Sequence, residues 1–194
     1  MKHAATRELY AYWDRLRAGR SAPDRSDLEP GAIRTLLGDV FLLELGGMDR
    51  HLVRLAGTRI CTLLGRELKG RPFAELFAPE EWHDLYSLFG GVAETAVPVV
   101  AGVVGETADG RTLDLELLVL PLKHRGRTHA RLLGSLVSTE WPYWAGVSPL
   151  ARFRLVSIRY LRIESHPSSD AIDLVSPPVR ATAGPLRVLP GGRA

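Results

Sequence analysis

The sequence predicts an α+β fold: a five-stranded antiparallel sheet with helices on one face, plus an N-terminal helical extension. Three observations predict it. Apolar residues recur at offsets of three and four over 5–18 and again within 73–95; an apolar hairpin pattern occupies 39–57; and the period changes to two from residue 97 onward. Strands joined by short turns pair antiparallel, and a sheet of this kind buries one face under helices.

Each element has a local cause. In "ATRELYAYWDRLRA" the residues Leu9, Tyr12, Trp13 and Leu16 share one helical stripe, and Gly19 terminates it. The helix either covers its own sheet edge or packs against a second copy of the chain. Ser26 or Asp27 is placed to cap a short turn, with Ile33, Leu36 and Leu37 supplying apolar contacts after it. "DVFLLEL" reads as a strand, closed by the turn "GGMDR" and followed by a partner strand "HLVRLAG". "TRICTLLGREL" has helical spacing broken at Gly65, and the longest helical signal carries Trp82, Leu85, Tyr86 and Phe89 behind the N-terminal residues Pro79, Glu80 and Glu81. Val97, Val99, Ala101 and Val103 then share one strand face; Asp109-Gly110 turns the chain; and Leu113, Leu115, Leu117 and Val119 share a face of the next strand. A third run, 130–139, follows the polar turn "KHRGRTH". Residues 150–163 suit either a strand or a short helix, and the Pro- and Gly-rich stretch 166–194 suits a poorly ordered tail. The expected organisation is 1–38 helical extension, 39–141 core domain, 142–165 C-terminal extension and 166–194 flexible tail.

Composition narrows the function. With 194 residues, 45% apolar and 24% charged, the chain has the make-up of an ordinary globular domain with extensions. No stretch approaches the roughly eighteen apolar residues of a membrane span, and "MKHAATRELYAYWDRLR" has no signal-peptide h-region, so a cytoplasmic location is expected. The 25 basic residues face 22 acidic ones. The densest patches, "RLRAGR", "KHRGR" and "ARFRLVSIRYLR", two of them broken by acids or apolar alternation, read as solvated faces or turns, which argues against nucleic acid.

No catalytic constellation emerges. Gly57, Gly65 and Gly70 match neither the dinucleotide fingerprint nor a nucleotide loop, and they sit where short elements start and stop. Cys61, the single cysteine, has no histidine near it in sequence and reads as a small core residue. His124 and His129 flank a turn while His51, His83 and His166 are isolated, so no metal set is expected. Asp114 with Glu116, and Asp84 with Glu80 and Glu81, are spaced as structural acids, and no serine stands in a nucleophile elbow.

The order of elements, together with "YWDRLRAGRSAPDRSDLEPGAIRTLLGDVFLLE" and "VRLAGTRICTLLGRELKGRPFAELF", resembles a PAS-domain family found mainly in alphaproteobacteria. The similarity covers about residues 8–140. Its most specific residues are Trp13, Arg15, Leu16, Arg17, Gly19, Arg20, Pro23 and Arg25, then Arg54, Ala56, Gly57, Thr58, Arg59, Gly65, Arg66, Glu67, Leu68 and Gly70. The resemblance implies a sensory or regulatory module and does not itself imply an activity, and no enzyme is expected. A flavin is not implied, because the Asn-Cys-Arg context of photoreactive PAS domains is absent around Cys61, and a haem is not implied either, because His83, the histidine on the long helix, sits off its apolar stripe.

Two readings follow. In the first, a stand-alone cytoplasmic regulator binds a small apolar ligand, a partner protein, or both, with a pocket between sheet and long helix near Phe41, Leu43, Leu55, Tyr86, Phe89, Leu115 and Leu117. In the second, the chain is a ligand-free interaction module, possible homodimerisation through the N-terminal helix included. An enzyme would need polar groups converging on that pocket, such as Arg66 with Glu67 or His83.

Overall fold

The computed structural model describes residues 1–46, 50–124, 127–163 and 187–188. The period-two segments become strands β1 (Val40–Gly46), β2 (Arg50–Ala56), β3 (Val99–Thr107), β4 (Thr112–His124) and β5 (Arg127–Ser138). The expected five-stranded sheet is present in the order β2-β1-β5-β4-β3, and every one of these pairings is antiparallel. It continues beyond five. Residues 150–163 resolve as a strand, β6 (Leu150–Tyr160), antiparallel to β3, and β7 (Arg187–Val188) adds a parallel pair at Ser157 and Ile158. The remainder of the expected tail, the centre of the "GGMDR" turn and the tip of the "KHRGRTH" turn lie outside the described residues, as does His166.

The inner face of the sheet is covered by α2 (Thr58–Leu64), α3 (Trp82–Thr95) and two 3-10 turns, Phe73–Leu76 and Pro79–Glu81. The helical signal over 73–95 is therefore split, with α3 beginning only at Trp82, just after the Pro79 turn. Leu85, Leu88, Phe89, Val92 and Ala93 are the buried face of α3.

The helices on one face and the N-terminal helical extension are both present, and the structure shows where the extension packs. Helix α1 (Ala4–Arg17) packs on the outer face of the sheet rather than at an edge. Its stripe, Leu9, Tyr12 and Trp13, meets Leu118, Leu120, Leu122 and Leu133, so the C-terminal half of β4 is buried on both sides. Burying a large apolar side chain of this kind contributes about 1.5–3 kcal/mol. Buried Trp13 keeps its indole N–H satisfied by donating to the carbonyl of Pro121 at 2.8 Å. The short turn after α1 (Arg25–Asp27) is capped by Asp24, with Asp27 reaching back to the Asp24 N–H, in place of the Ser26 or Asp27 cap expected.

Glu116 ties the start of α1 to the sheet. From the outer face of β4 its carboxylate accepts the Lys2 N–H at 2.6 Å and the His3 N–H at 3.0 Å. Burial pushes this carboxyl up, but the donors outweigh it and hold the group below its ordinary value of 4.5.

A second tie joins the segment before β1 to α2. Arg59 donates from Nε and Nη2 to the two carboxylate oxygens of Asp39, at 2.6 and 2.5 Å, and from Nη2 to the Thr35 carbonyl at 3.0 Å. Gly57, at the N-cap of α2, lies so close to that segment that a Cβ would fall 2.2 Å from the Leu37 carbonyl oxygen and 2.3 Å from that of Gly38. Both obstacles are backbone.

The exposed edge of β6 is guarded piece by piece. Phe77 bridges to Phe153, the Glu81 carboxylate accepts the Leu155 N–H at 3.1 Å, and β7 pairs at Ser157 and Ile158. Covering an edge in this way removes a template for strand addition by other chains.

Two outcomes follow from the ties. Because Glu116 has its folded-state pKa depressed, its contribution is present above pH 4.5 and is lost as pH falls through the depressed value. Amide exchange along α1 is expected to accelerate in that acid window before the rest of the chain opens, and Glu116→Gln to flatten the dependence; α1 amides indifferent to pH would contradict it. Gly57→Ala is expected to cost about 1–3 kcal/mol by overpacking, read by denaturant melts, with Gly31→Ala as the mild comparison because no atom lies within 4 Å of its Cβ position and its φ is not left-handed.

Candidate functional site

The space between the sheet and α3, where a pocket was expected, is occupied by the chain's own rings. Phe41, Leu43, Phe89, Leu115 and Leu117 are all buried in one cluster, and Tyr86 packs half-buried against it. Phe73 stands at the centre, 4.8 Å from the Phe41 ring centroid, 5.6 Å from Phe89 and 6.0 Å from Phe77, and Phe77 continues to Phe153 at 5.6 Å. Phe41 lies over Gly134 so closely that a Cβ there would be 2.2 Å from its Cζ.

Leu55 does not join them. It is 46% exposed, because β2 carries one extra residue, Arg54, between the pairs Leu42↔Leu55 and Leu43↔Val53. A bulge of one residue reverses the alternation, so Val53 and His51 point inward while Leu55 follows Leu42 to the outer face. His51 is the residue that sequence reasoning missed. It is buried against Tyr86 at 5.3 Å and Phe89 at 5.7 Å; its alternation with Val53 was the available signal. Phe73, Phe77 and Phe153 were also missed, the first two because they sit in and beside a 3-10 turn with no strong periodicity.

The residues that carried the family resemblance hold the fold together. Trp13 docks α1; Arg17 donates to Asp14 at 2.6 Å with its guanidinium 5.8 Å from the Trp13 ring; Gly57 and Arg59 form the tie described above; and Thr58 is the exposed first residue of α2. Gly65 ends α2 with a left-handed φ of 63°. Arg66 and Glu67 follow at the surface, and His83 is exposed on α3, so these three do not converge on the interior.

Cys61 is half-buried on α2, with Sγ 3.8 Å from a Glu67 carboxylate oxygen and 4.0 Å from the Ala56 carbonyl. Burial first, and then the negative charge of Glu67, push its thiol above the ordinary range, the reverse of what a nucleophile needs. Asp114 and Glu116 face outward from β4, with Glu116 engaged by α1. Among the described residues no three metal-ligating side chains gather, and no helix is long and apolar enough to cross a membrane.

The connection from β5 to β6 presents a different kind of surface. Trp141, Tyr143 and Val147 are 51%, 89% and 78% exposed. The loop beneath them is fixed: Ala145 is buried, Trp144 packs on the core, and the Val147 and Ser148 N–H groups both donate to the Trp144 carbonyl, at 3.0 and 2.9 Å.

A family model described as a PAS domain matches residues 1–137. Among solved structures, the chain is similar to a light-oxygen-voltage domain studied with a flavin analogue, at 18% identity over 57% of this chain and 83% of that one, with a TM-score of 0.45. It is similar to the PAS domain of an HTR-like protein from Haloarcula marismortui at 20% identity, covering 56% and 89%, TM-score 0.40. A Rhodobacter sphaeroides LOV protein matches at 14% identity over 71% and 69%, TM-score 0.44. A search of curated proteins finds no match. With the greater part of its length matched by the family, and with the sheet order and helix placement described above, this chain belongs to the PAS domain family, whose members are generally sensory and signalling modules.

Proposed function

We propose that this chain is a cytoplasmic regulatory PAS protein that signals through contact with a partner protein, without a flavin, haem or metal ion and without catalysing a reaction. The observation that carries the reading is the β5–β6 loop. A Trp, a Tyr and a Val stand well exposed within seven residues of one anchored loop, and Trp and Tyr supply much of the binding energy at protein interfaces. Because Trp144 and Ala145 already anchor the loop, little ordering entropy opposes docking.

The interior supports the same reading. Rings in contact from Phe41 through Phe73 to Phe89, and on to Phe153, fill the region where an apolar ligand would lie. A dimer formed through the apolar stripe of α1 is disfavoured, since that stripe is already packed on the sheet.

The test is chemical crosslinking of the full chain in its own host, comparing wild type with the double variant Trp141→Ala/Tyr143→Ala. The wild-type chain is expected to crosslink a discrete protein through peptides of the loop, and the variant to lose this at least tenfold with folding stability changed by no more than about 0.5 kcal/mol. Unchanged crosslinks in the variant, or native mass spectra showing a stoichiometric small molecule held in the interior, would overturn the proposal.

A further inference from the structure

The β5–β6 loop that carries the partner reading also narrows what the partner can be. Gly146 has a left-handed φ of 82°, and a Cβ there would fall 2.8 Å from Thr62 Cγ2 on α2 and 3.8 Å from Trp141 Cζ2. The loop is thus laid on α2 with the Trp141 ring against its bare glycine, while Tyr143 stands clear at 89% exposure. Among the described residues, neither ring stacks on another, and neither the Trp141 indole N–H nor the Tyr143 hydroxyl meets an acceptor. Two separate aromatic plates, each with a donor at its rim, are held in place before anything binds.

Size and charge decide between occupants. Two globular faces that hold together stably, a second copy of this chain included, meet over roughly 20–30 residues a side. The well-exposed apolar side chains here all fall within 141–147, a span that suits a short extended segment. Over 139–149 the one charged residue is Glu140, exposed beside Trp141 and without an ion pair among the described residues. Arg66 follows Gly65, which abuts Pro149 at the opposite end of the loop. A negative charge next to the rings opposes an anionic lipid surface and favours a cation on the ligand.

A proline-rich segment meets each of these conditions. It is extended before it binds and loses little freedom on docking, and its backbone makes no internal hydrogen bonds, so its carbonyls are open to the indole and phenol donors. Its pyrrolidine rings pack on aromatic faces. We propose that the partner docks on this loop through a short proline-rich stretch flanked by Arg or Lys, with the prolines on Trp141 and Tyr143 and the basic side chain beside Glu140. The inference rests on the partner reading of the same loop and supplies the chemistry of what the loop grips.

NMR titration of the full chain with a synthetic peptide of seven prolines followed by one arginine tests it. The comparison probes are the same peptide ending in glutamate, a glycine-serine peptide of equal length ending in arginine, and vesicles of phosphatidylcholine with phosphatidylglycerol. The proline-arginine peptide is expected to saturate one site, to shift the Trp141 indole N–H and Val147 amide signals, and to bind at least about tenfold more tightly than the glycine-serine peptide. Trp141→Ala and Tyr143→Ala are each expected to weaken it at least about tenfold, and Glu140→Lys to transfer the preference to the peptide ending in glutamate. Amide spectra establish that each variant is folded. Absence of saturable binding by the proline peptides, equal binding by wild type and both aromatic variants, equally tight binding of the glycine-serine peptide, or a response to the vesicles alone would overturn the proposal. Crosslinks to a protein that depend on Trp141 and Tyr143, together with no binding of the proline peptides, would sink this inference and leave the partner reading standing; crosslinks unchanged in the double variant would sink both.

Discussion

The close approach of Phe41 to Gly134 is the constraint on which the inner half of the molecule rests. These residues face each other on β1 and β5, and only a strand without a side chain at that point lets the Phe41 ring lie flat enough to reach Phe73. Phe73 then reaches Phe89 on α3 and Phe77 beside β6. The sheet, the long helix and the 3-10 turns are thereby joined through one chain of rings. Dense packing of this sort transmits displacement but leaves little space for a guest.

The outer half depends on different chemistry. Helix α1 lies on a strongly apolar stretch of β4 and β5, but its placement is fixed by polar contacts: the Trp13 indole on the Pro121 carbonyl at one level and the Glu116 carboxylate on the Lys2 and His3 N–H groups at another. Apolar burial supplies most of the free energy, and the directional bonds select the register. Arg59 with Asp39, and Gly57 against residues 37 and 38, perform the matching task where the N-terminal segment passes over to α2.

The sequence discloses period and composition far better than it discloses which surface an element meets. Strands β3 and β4 were legible because Val99, Ala101 and Val103, then Leu113, Leu115, Leu117 and Val119, alternate without interruption. Leu55 was misplaced because alternation assumes an unbroken ladder, and the extra residue at Arg54 exists only in the pairing with β1. Strand β6 was ambiguous for the same reason, since a register shift at Gly102/Val103 leaves Val156 between the pairs formed by Leu155 and Ser157 and breaks its period. The stripe of α1 announced burial without saying against what.

With the space between sheet and α3 filled by side chains, the large apolar residues most exposed to water lie at the periphery, on the loop that leads into β6. It begins at Leu150, directly after the loop that displays Trp141, Tyr143 and Val147, and runs to Tyr160. Along the way it is held by Phe77, by Glu81 and by β7 at its edge, and by β3 over nearly its whole length. A strand held on both sides gives the loop before it a set point of departure from the sheet, with Trp144 and Ala145 against the core and Tyr143 in water.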